Sequence, residues 1–187
     1  MTSKAFMLPA TPLADERFVL REPGDADVEK IYAACQDEAI QRFTFVPVPY
    51  ERRHATGWFE DEPRARAAGE ALTFAIEDRA TATFCGMASL LRPDWPNATV
   101  EVGYWVAPPA RGRGAASHAA RLLAHHALRD LGFARVRCDI DVDNAGSMRA
   151  AERAGFVREG TARSAIEAKG RRWTLALYAL IPEDLAS

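Results

Sequence analysis

From Ala134 to Asp143 apolar and polar residues alternate without a fault. Ala134, Val136, Cys138, Ile140 and Val142 fall on one side, and Arg135, Arg137, Asp139, Asp141 and Asp143 on the other. A period of two is that of a strand with one covered and one polar face. Just upstream the period lengthens. Ala120, Leu123, Ala124, Ala127, Leu128 and Leu131 recur at i, i+3, i+4, i+7, i+8 and i+11, the stripe of an amphipathic helix. Gly132 stands where a helix-ending glycine belongs. The pattern predicts a helix over 115–131 and a strand over 134–143. With a strand over 99–107 before them, this order implies a right-handed crossover and a parallel pair.

The flanking pattern fills in the rest. A strand is expected over 17–23, then a helix over 25–40 with an acidic first turn and a stripe of Val28, Ile31, Tyr32 and Cys35. Residues 42–50 (RFTFVPVPY) are aromatic and proline-rich and read as an irregular loop. A helix from 51 to 59 is expected to break near Pro63 and Gly69. Runs at 71–78, 83–92 and 99–107 are separated by short turns, which favour an antiparallel meander. A second short helix over 144–156 is stopped by Gly155, 156–160 begins another strand, and 171–180 is the last. Residues 1–14 read as a loose leader and 15–187 as a single domain. The fold class is mixed α/β: a meander, one βαβ crossover and a terminal pair.

Composition narrows the function classes. The chain has 187 residues, 48% hydrophobic and 27% charged, ordinary values for one globular domain with a real core. A formal charge of −2 advertises no nucleic-acid surface. Cys35, Cys85 and Cys138 are far apart and odd in number, and the four histidines lack metal-ligand spacing. Disulfides and a metal site are therefore not expected, and a reducing cytoplasm fits best. Neither a signal peptide nor a membrane-spanning apolar run is expected from the pattern.

The chemistry concentrates in VAPPARGRGAAS, residues 106–117. A helix start leaves backbone N–H groups unpartnered and carries partial positive charge, so it attracts anions. Gly112 and Gly114 let an anion approach the main chain, and Arg111 and Arg113 add mobile positive charge. Such a loop suits a pyrophosphate. It lacks the lysine of GxxxxGK[ST] and the third glycine of GxGxxG, so nucleotide hydrolysis and dinucleotide binding fall back, and a nucleotide-phosphate-binding module without acyl chemistry stays as a rival.

The stretch VEVGYWVAPPARGRGAAS resembles the central motif of the GNAT superfamily of acetyl-CoA-dependent N-acyltransferases, Arg/Gln-x-x-Gly-x-Gly/Ala, matched by Arg111, Gly114 and Ala116. DNAGSMRAAERAGFVREG is similar to the superfamily's second motif. The pairing is most similar to the branch of ribosomal-protein alanine and serine N-acetyltransferases. The resemblance implies a sheet whose strands at 99–107 and 134–143 splay apart to admit pantetheine. It implies backbone contacts from Val106 and Ala107, and a pyrophosphate held by the N–H groups of Arg111, Gly112, Arg113, Gly114, Ala115 and Ala116. An oxyanion-stabilising N–H maps to Val106, and a pantetheine contact to Asn144.

Acetyl transfer to an amine needs a base and an acid. Glu101, on the meander strand, is the candidate base. Where many relatives carry a tyrosine acid this chain has Ala151, which leaves Ser147 as the polar group near the expected sulfur. Phe43, Phe45 and Tyr50 are expected to wall the acceptor side. The implied activity is direct attack of a primary amine, a protein N-terminus or a small molecule, on acetyl-CoA without a metal, in a monomer or homodimer. The alternative is a non-catalytic acyl-CoA-binding regulatory domain.

Overall fold

Alternating apolar segments joined by tight turns build one sheet. The computed structural model describes residues 5–186. Among them, β1 (Leu13–Ala14), β2 (Phe18–Arg21), β3 (Ala71–Asp78), β4 (Thr83–Asp94), β5 (Thr99–Val106), β6 (Arg135–Asp141), β7 (Val157–Ala168) and β8 (Arg171–Leu180) align in the order β1-β2-β3-β4-β5-β6-β8-β7. Every neighbouring pair is antiparallel except β5–β6, the product of the expected crossover. The last strand enters beside β6 and leaves β7 at the edge.

Helices α1 (Val28–Ala34), α2 (Glu38–Phe43) and α3 (Arg52–Ala67) cover one face, and α4 (Ala115–Arg129) and α5 (Ala145–Arg153) the other. The predicted stripe of α4 is what it buries: Ala120, Leu123, Ala124 and Ala127 are fully enclosed against Leu90, Val100, Val102 and Val136. The small alanines let the helix sit close to the sheet. Burying Leu123 contributes roughly 1.5–3 kcal/mol. Gly132 ends the segment at φ 76°, a conformation that suits glycine.

Three expectations change. The helix expected over 25–40 is two, because the Asp37 carboxylate accepts from the Ile40 N–H and starts α2 afresh. Helix α3 does not break at Pro63 but runs to Ala67. Pro63 is exposed, so its ring meets solvent, and the helix beyond it packs on β3. Its end is fixed at Gly69 (φ 70°) by Glu70 N–H to Ala65 C=O and Gly69 N–H to Arg66 C=O. The leader is not loose from residue 6 on. Phe6 is buried against Trp95 and Phe133, and its N–H donates to Arg66 C=O. Residues 1–4 of the leader lie outside the described residues.

One buried charge clasps β2 to α1. Asp27 accepts from Arg21 at 2.6 and 2.9 Å, from Lys30 at 3.2 Å and from the Gly24 N–H at 3.0 Å. Burial opposes its charge, but the Arg21 guanidinium and the Gly24 N–H outweigh it and hold the carboxyl at about 2. A carboxyl depressed in the folded state stabilises the fold above its unfolded pKa and loses that contribution as pH falls through the folded one. Asp27→Asn is expected to cost about 2 kcal/mol near neutral pH. Thermal melts should show the gap to wild type closing as pH falls from about 4 towards 2.

Candidate active site

The site begins where two strands part. β5 and β6 pair at Thr99–Arg135, Val100–Val136 and Glu101–Arg137, and then diverge. β4 keeps hold of the other edge of β5 to its end, where the Ala107 N–H donates to Cys85 C=O at 2.8 Å. Strand alternation therefore turns the N–H and C=O of Tyr104 and Val106 towards the edge that β6 has left. The expectation for Val106 fits this geometry. Ala107 does not: its N–H belongs to Cys85 and its C=O accepts from Ala110. Gly86 makes the tight β4–β5 contact possible, since a Cβ there would lie 2.1 Å from the Trp105 carbonyl oxygen. A cavity of about 1470 Å³ fills the gap.

At one end of the cavity the chain makes a short 3-10 turn (Pro108–Ala110), and Gly112 and Gly114 adopt φ 72° and 89°. Gly114 is the N-cap of α4, whose first helical bond is His118 N–H to Gly114 C=O. The N–H groups of Ala115, Ala116 and Ser117 consequently have no helical acceptor. Arg111 lines the cavity but is anchored: its guanidinium donates to Asp37 at 2.6 and 3.2 Å and to Val106 C=O at 3.3 Å. That guanidinium holds the Asp37 carboxyl below its usual value. Arg113 is turned away. Its side chain pairs with buried Asp78 at 3.2 Å and lies outside the cavity, so only its peptide group remains in the loop.

Between the parted strands sits the start of α5. Asn144 caps it, accepting from the Ser147 N–H at 3.1 Å. The Ser147 hydroxyl is thereby free of capping and donates to the Tyr104 hydroxyl at 3.0 Å, which in turn donates to Ser147 C=O at 3.1 Å. Burial pushes the Tyr104 hydroxyl well above its ordinary pKa, with the neighbouring Cys138 adding to the effect. Ala151 is fully enclosed in the core.

The other end of the cavity is a web of compensated charge. Glu101 is gripped by Arg92 on one oxygen and by Arg137, at 2.9 Å, on the other. Arg137 also reaches Asp139 at 3.0 Å, and Arg171 holds buried Asp141. Above this floor Arg92 lies over Phe45 (5.3 Å), Phe45 stacks on Trp173 (5.6 Å, 14°) and Arg171 lies over Trp173 (4.9 Å). The column joins β4 to β8 across the divergence. Phe43, Phe45 and Tyr50 all line the cavity, as expected. Helix α2 roofs it, tied by Asp37 to Arg111, by Arg42 to Asp143 (2.8 Å) and by its Gln41 carbonyl to Lys169 (2.5 Å).

Sequence reasoning places Glu101, Val106, the glycine loop, Asn144 and Ser147 on one cavity, and the structure brings them together. It missed Tyr104 as the partner of Ser147, Asp37 as the partner of Arg111, and the two arginines on Glu101. One signal for the last was present: Arg137 is on the polar face of the alternating strand beside Glu101. Among the described residues no group of three or more His, Cys, Asp or Glu side chains forms a metal site, and no helix is long and apolar enough to cross a membrane.

Comparison with known proteins agrees with this geometry. Residues 17–157 match the family model described as an acetyltransferase (GNAT) domain. YdaF of Bacillus subtilis (strain 168), which carries a ribosomal N-acetyltransferase name, is 35% identical over 102 residues. That match covers 54% of this chain and 56% of YdaF, so the chain spans little more than half of that relative. Two solved structures share the fold. RimL, a ribosomal L7/L12 alpha-N-protein acetyltransferase in complex with coenzyme A, superposes with TM-score 0.81 at 20% identity, covering 91% of this chain and 98% of that one. The microcin C7 self-immunity acetyltransferase MccE, in complex with acetyl-CoA and AMP, gives 0.78 at 22%, covering 89% and 93%.

The cysteines are placed to stay inert. Burial pushes Cys138 up to about 12 and Cys35 to about 11, and raises Cys85 as well. Thiolate, not thiol, is the nucleophile. A disulfide reagent at mildly alkaline pH should label none of the three in the native protein and all three in guanidinium. Rapid native labelling of Cys138 would reopen covalent catalysis.

Proposed function

Since the chain belongs to the acetyltransferase (GNAT) family, we propose that it moves the acetyl group of acetyl-CoA to a primary amine by direct attack in a ternary complex. The observation that carries this reading is the parting of β5 from β6 beside the unpartnered N–H groups at the start of α4. An edge of peptide groups that β6 has released suits pantetheine, whose amides pair as a strand does. The helix start suits a pyrophosphate.

In this mechanism the Val106 N–H faces the thioester carbonyl and stabilises the oxyanion, a role worth a few kcal/mol in such sites. Asn144, with its amide nitrogen uncommitted by the cap, holds pantetheine. Glu101 takes the proton of the incoming ammonium through water. Its two oxygens are held by Arg92 and Arg137, yet each carboxylate oxygen offers a second lone pair. The Ser147 hydroxyl, seated by Tyr104, turns its proton from the Tyr104 oxygen to the departing thiolate and is reprotonated by the proton that the attacking nitrogen sheds as the amide forms.

The charge arrangement bears on the acceptor. Glu101, Asp139 and Asp141, the acids on the cavity floor, are each paired with arginine. A polyamine needs a free carboxylate for its second cation and finds none on that floor; Glu167, which also lines the cavity, is exposed and stands 3.9 Å from Arg172. A single amine beside a neutral chain fits better, which favours a protein N-terminus.

Thermal shift should show acetyl-CoA and CoA raising the midpoint by several degrees while ATP and NAD do not. Free-thiol release should then be faster with a peptide bearing a free N-terminus than with spermidine. A larger shift with ATP or NAD would overturn the reading. Shifts with CoA and no thiol release across an amine panel would favour an acyl-CoA-binding regulatory domain. Glu101→Gln should lower kcat/KM about 10²- to 10⁴-fold while CoA still binds. Phe45→Ala should alter KM for the amine and leave that for acetyl-CoA within about twofold, because its ring touches only the acceptor end.

A further inference from the structure

The arginines that line the cavity divide into two sets. Arg53 is paired with Glu51 (2.7 Å), Arg92 with Glu101, Arg111 with Asp37 and Arg137 with Glu101 and Asp139. Arg149 and Arg153 line the same cavity, and neither makes a hydrogen bond or ion pair with any described residue. Among the described carboxylates that line the cavity, Glu167 stands 3.9 Å from Arg172. Glu152, their neighbour on α5, accepts from the Tyr178 hydroxyl, and the floor acids are committed.

The two arginines are exposed, four residues apart on α5, and so share one helix face. Like charges at that spacing repel by a few tenths of a kcal/mol. Two uncompensated guanidinium groups beside a cavity therefore form a site for an anion with more than one oxygen. The N–H groups at the start of α4 already answer to a pyrophosphate. The second anion on coenzyme A is the phosphomonoester on its ribose, which carries close to two negative charges near neutral pH.

We propose that Arg149 and Arg153 form a subsite for the 3′-phosphate of coenzyme A, so that the protein distinguishes coenzyme A from its 3′-dephospho form. The proposal rests on the acetyl-CoA part of the function proposed above and is independent of the acceptor. It assigns the loop to the pyrophosphate and α5 to the phosphomonoester.

Isothermal titration of coenzyme A and of 3′-dephospho-coenzyme A, with no amine present, tests it. Wild type should bind coenzyme A about tenfold tighter, as expected for charge-assisted contacts at an exposed site. The preference should shrink at high salt. Arg149→Gln combined with Arg153→Gln should bind both forms alike, at the wild-type affinity for the dephospho form. Arg163→Gln, an exposed arginine away from the cavity, should retain the preference. On wild type alone, adenosine 3′,5′-bisphosphate should displace coenzyme A better than AMP does, a readout that needs no variant to fold. Equal wild-type affinity for both forms overturns this proposal and leaves acetyl transfer standing. An undiminished preference in the double variant overturns it too. Failure of wild type to bind either form overturns the acetyl-CoA reading itself.

Discussion

β5 has two edges and only one of them is satisfied along its length. Beyond Glu101 and Arg137 the partner strand is gone, and the peptide groups of Tyr104 and the Val106 N–H are left facing a cavity, the Val106 C=O being taken by Arg111. Unpaired backbone groups inside a sheet are costly, so the gap must be held open by its surroundings. β4 supplies the hold. It carries β5 past the divergence, takes the Ala107 N–H at Cys85, and presses its backbone against Trp105 at Gly86, where no side chain fits. β6 is held on its other side by β8, from Val136–Leu180 to Asp141–Leu175. Each strand is thus pulled towards a different neighbour, and the loop before α4 and the start of α5 converge on the space between.

The same divergence organises charge. At the Glu101 end of the cavity the polar face of β6 meets Glu101 on β5 while the two strands are still paired, and Arg137 bridges them. Arg92 from β4 completes the grip and also caps Phe45, so the acid and the aromatic wall share one guanidinium. Elsewhere along the cavity the cations divide: Arg111 is committed to α2, whereas Arg149 and Arg153 are uncommitted.

Short-range features of this arrangement were legible in the chain. The alternation over 134–143, the stripe of α4 and the glycines at 112, 114 and 132 each express a preference within a few residues. The splay and the cofactor loop followed from family motifs laid on that frame. What was hidden depends on register. Arg137 lies 36 positions from Glu101, and Asp37 lies 74 from Arg111. No local period reports such pairs, because they exist only once the crossover has set which residues stand side by side. The single helix expected over 25–40 failed for a related reason. Its apolar stripe is real, with Ile31 and Cys35 buried, but Asp37 caps a new helix and at the same time turns to Arg111.

That double duty explains why six residues are set apart as α2. Asp37 at its start binds the arginine beside the glycine loop, Arg42 near its end binds Asp143 beyond β6, and Gln41 offers its carbonyl to Lys169 between β7 and β8. A straight continuation of α1 would carry these groups past the cavity instead of across it. Three exposed or half-exposed polar ties are individually weak, but they reach three elements that the divergence separates. The short helix is therefore the element whose position registers all sides of the cavity at once, and Phe45, two residues past its end, inherits its place over the floor of paired acids from them.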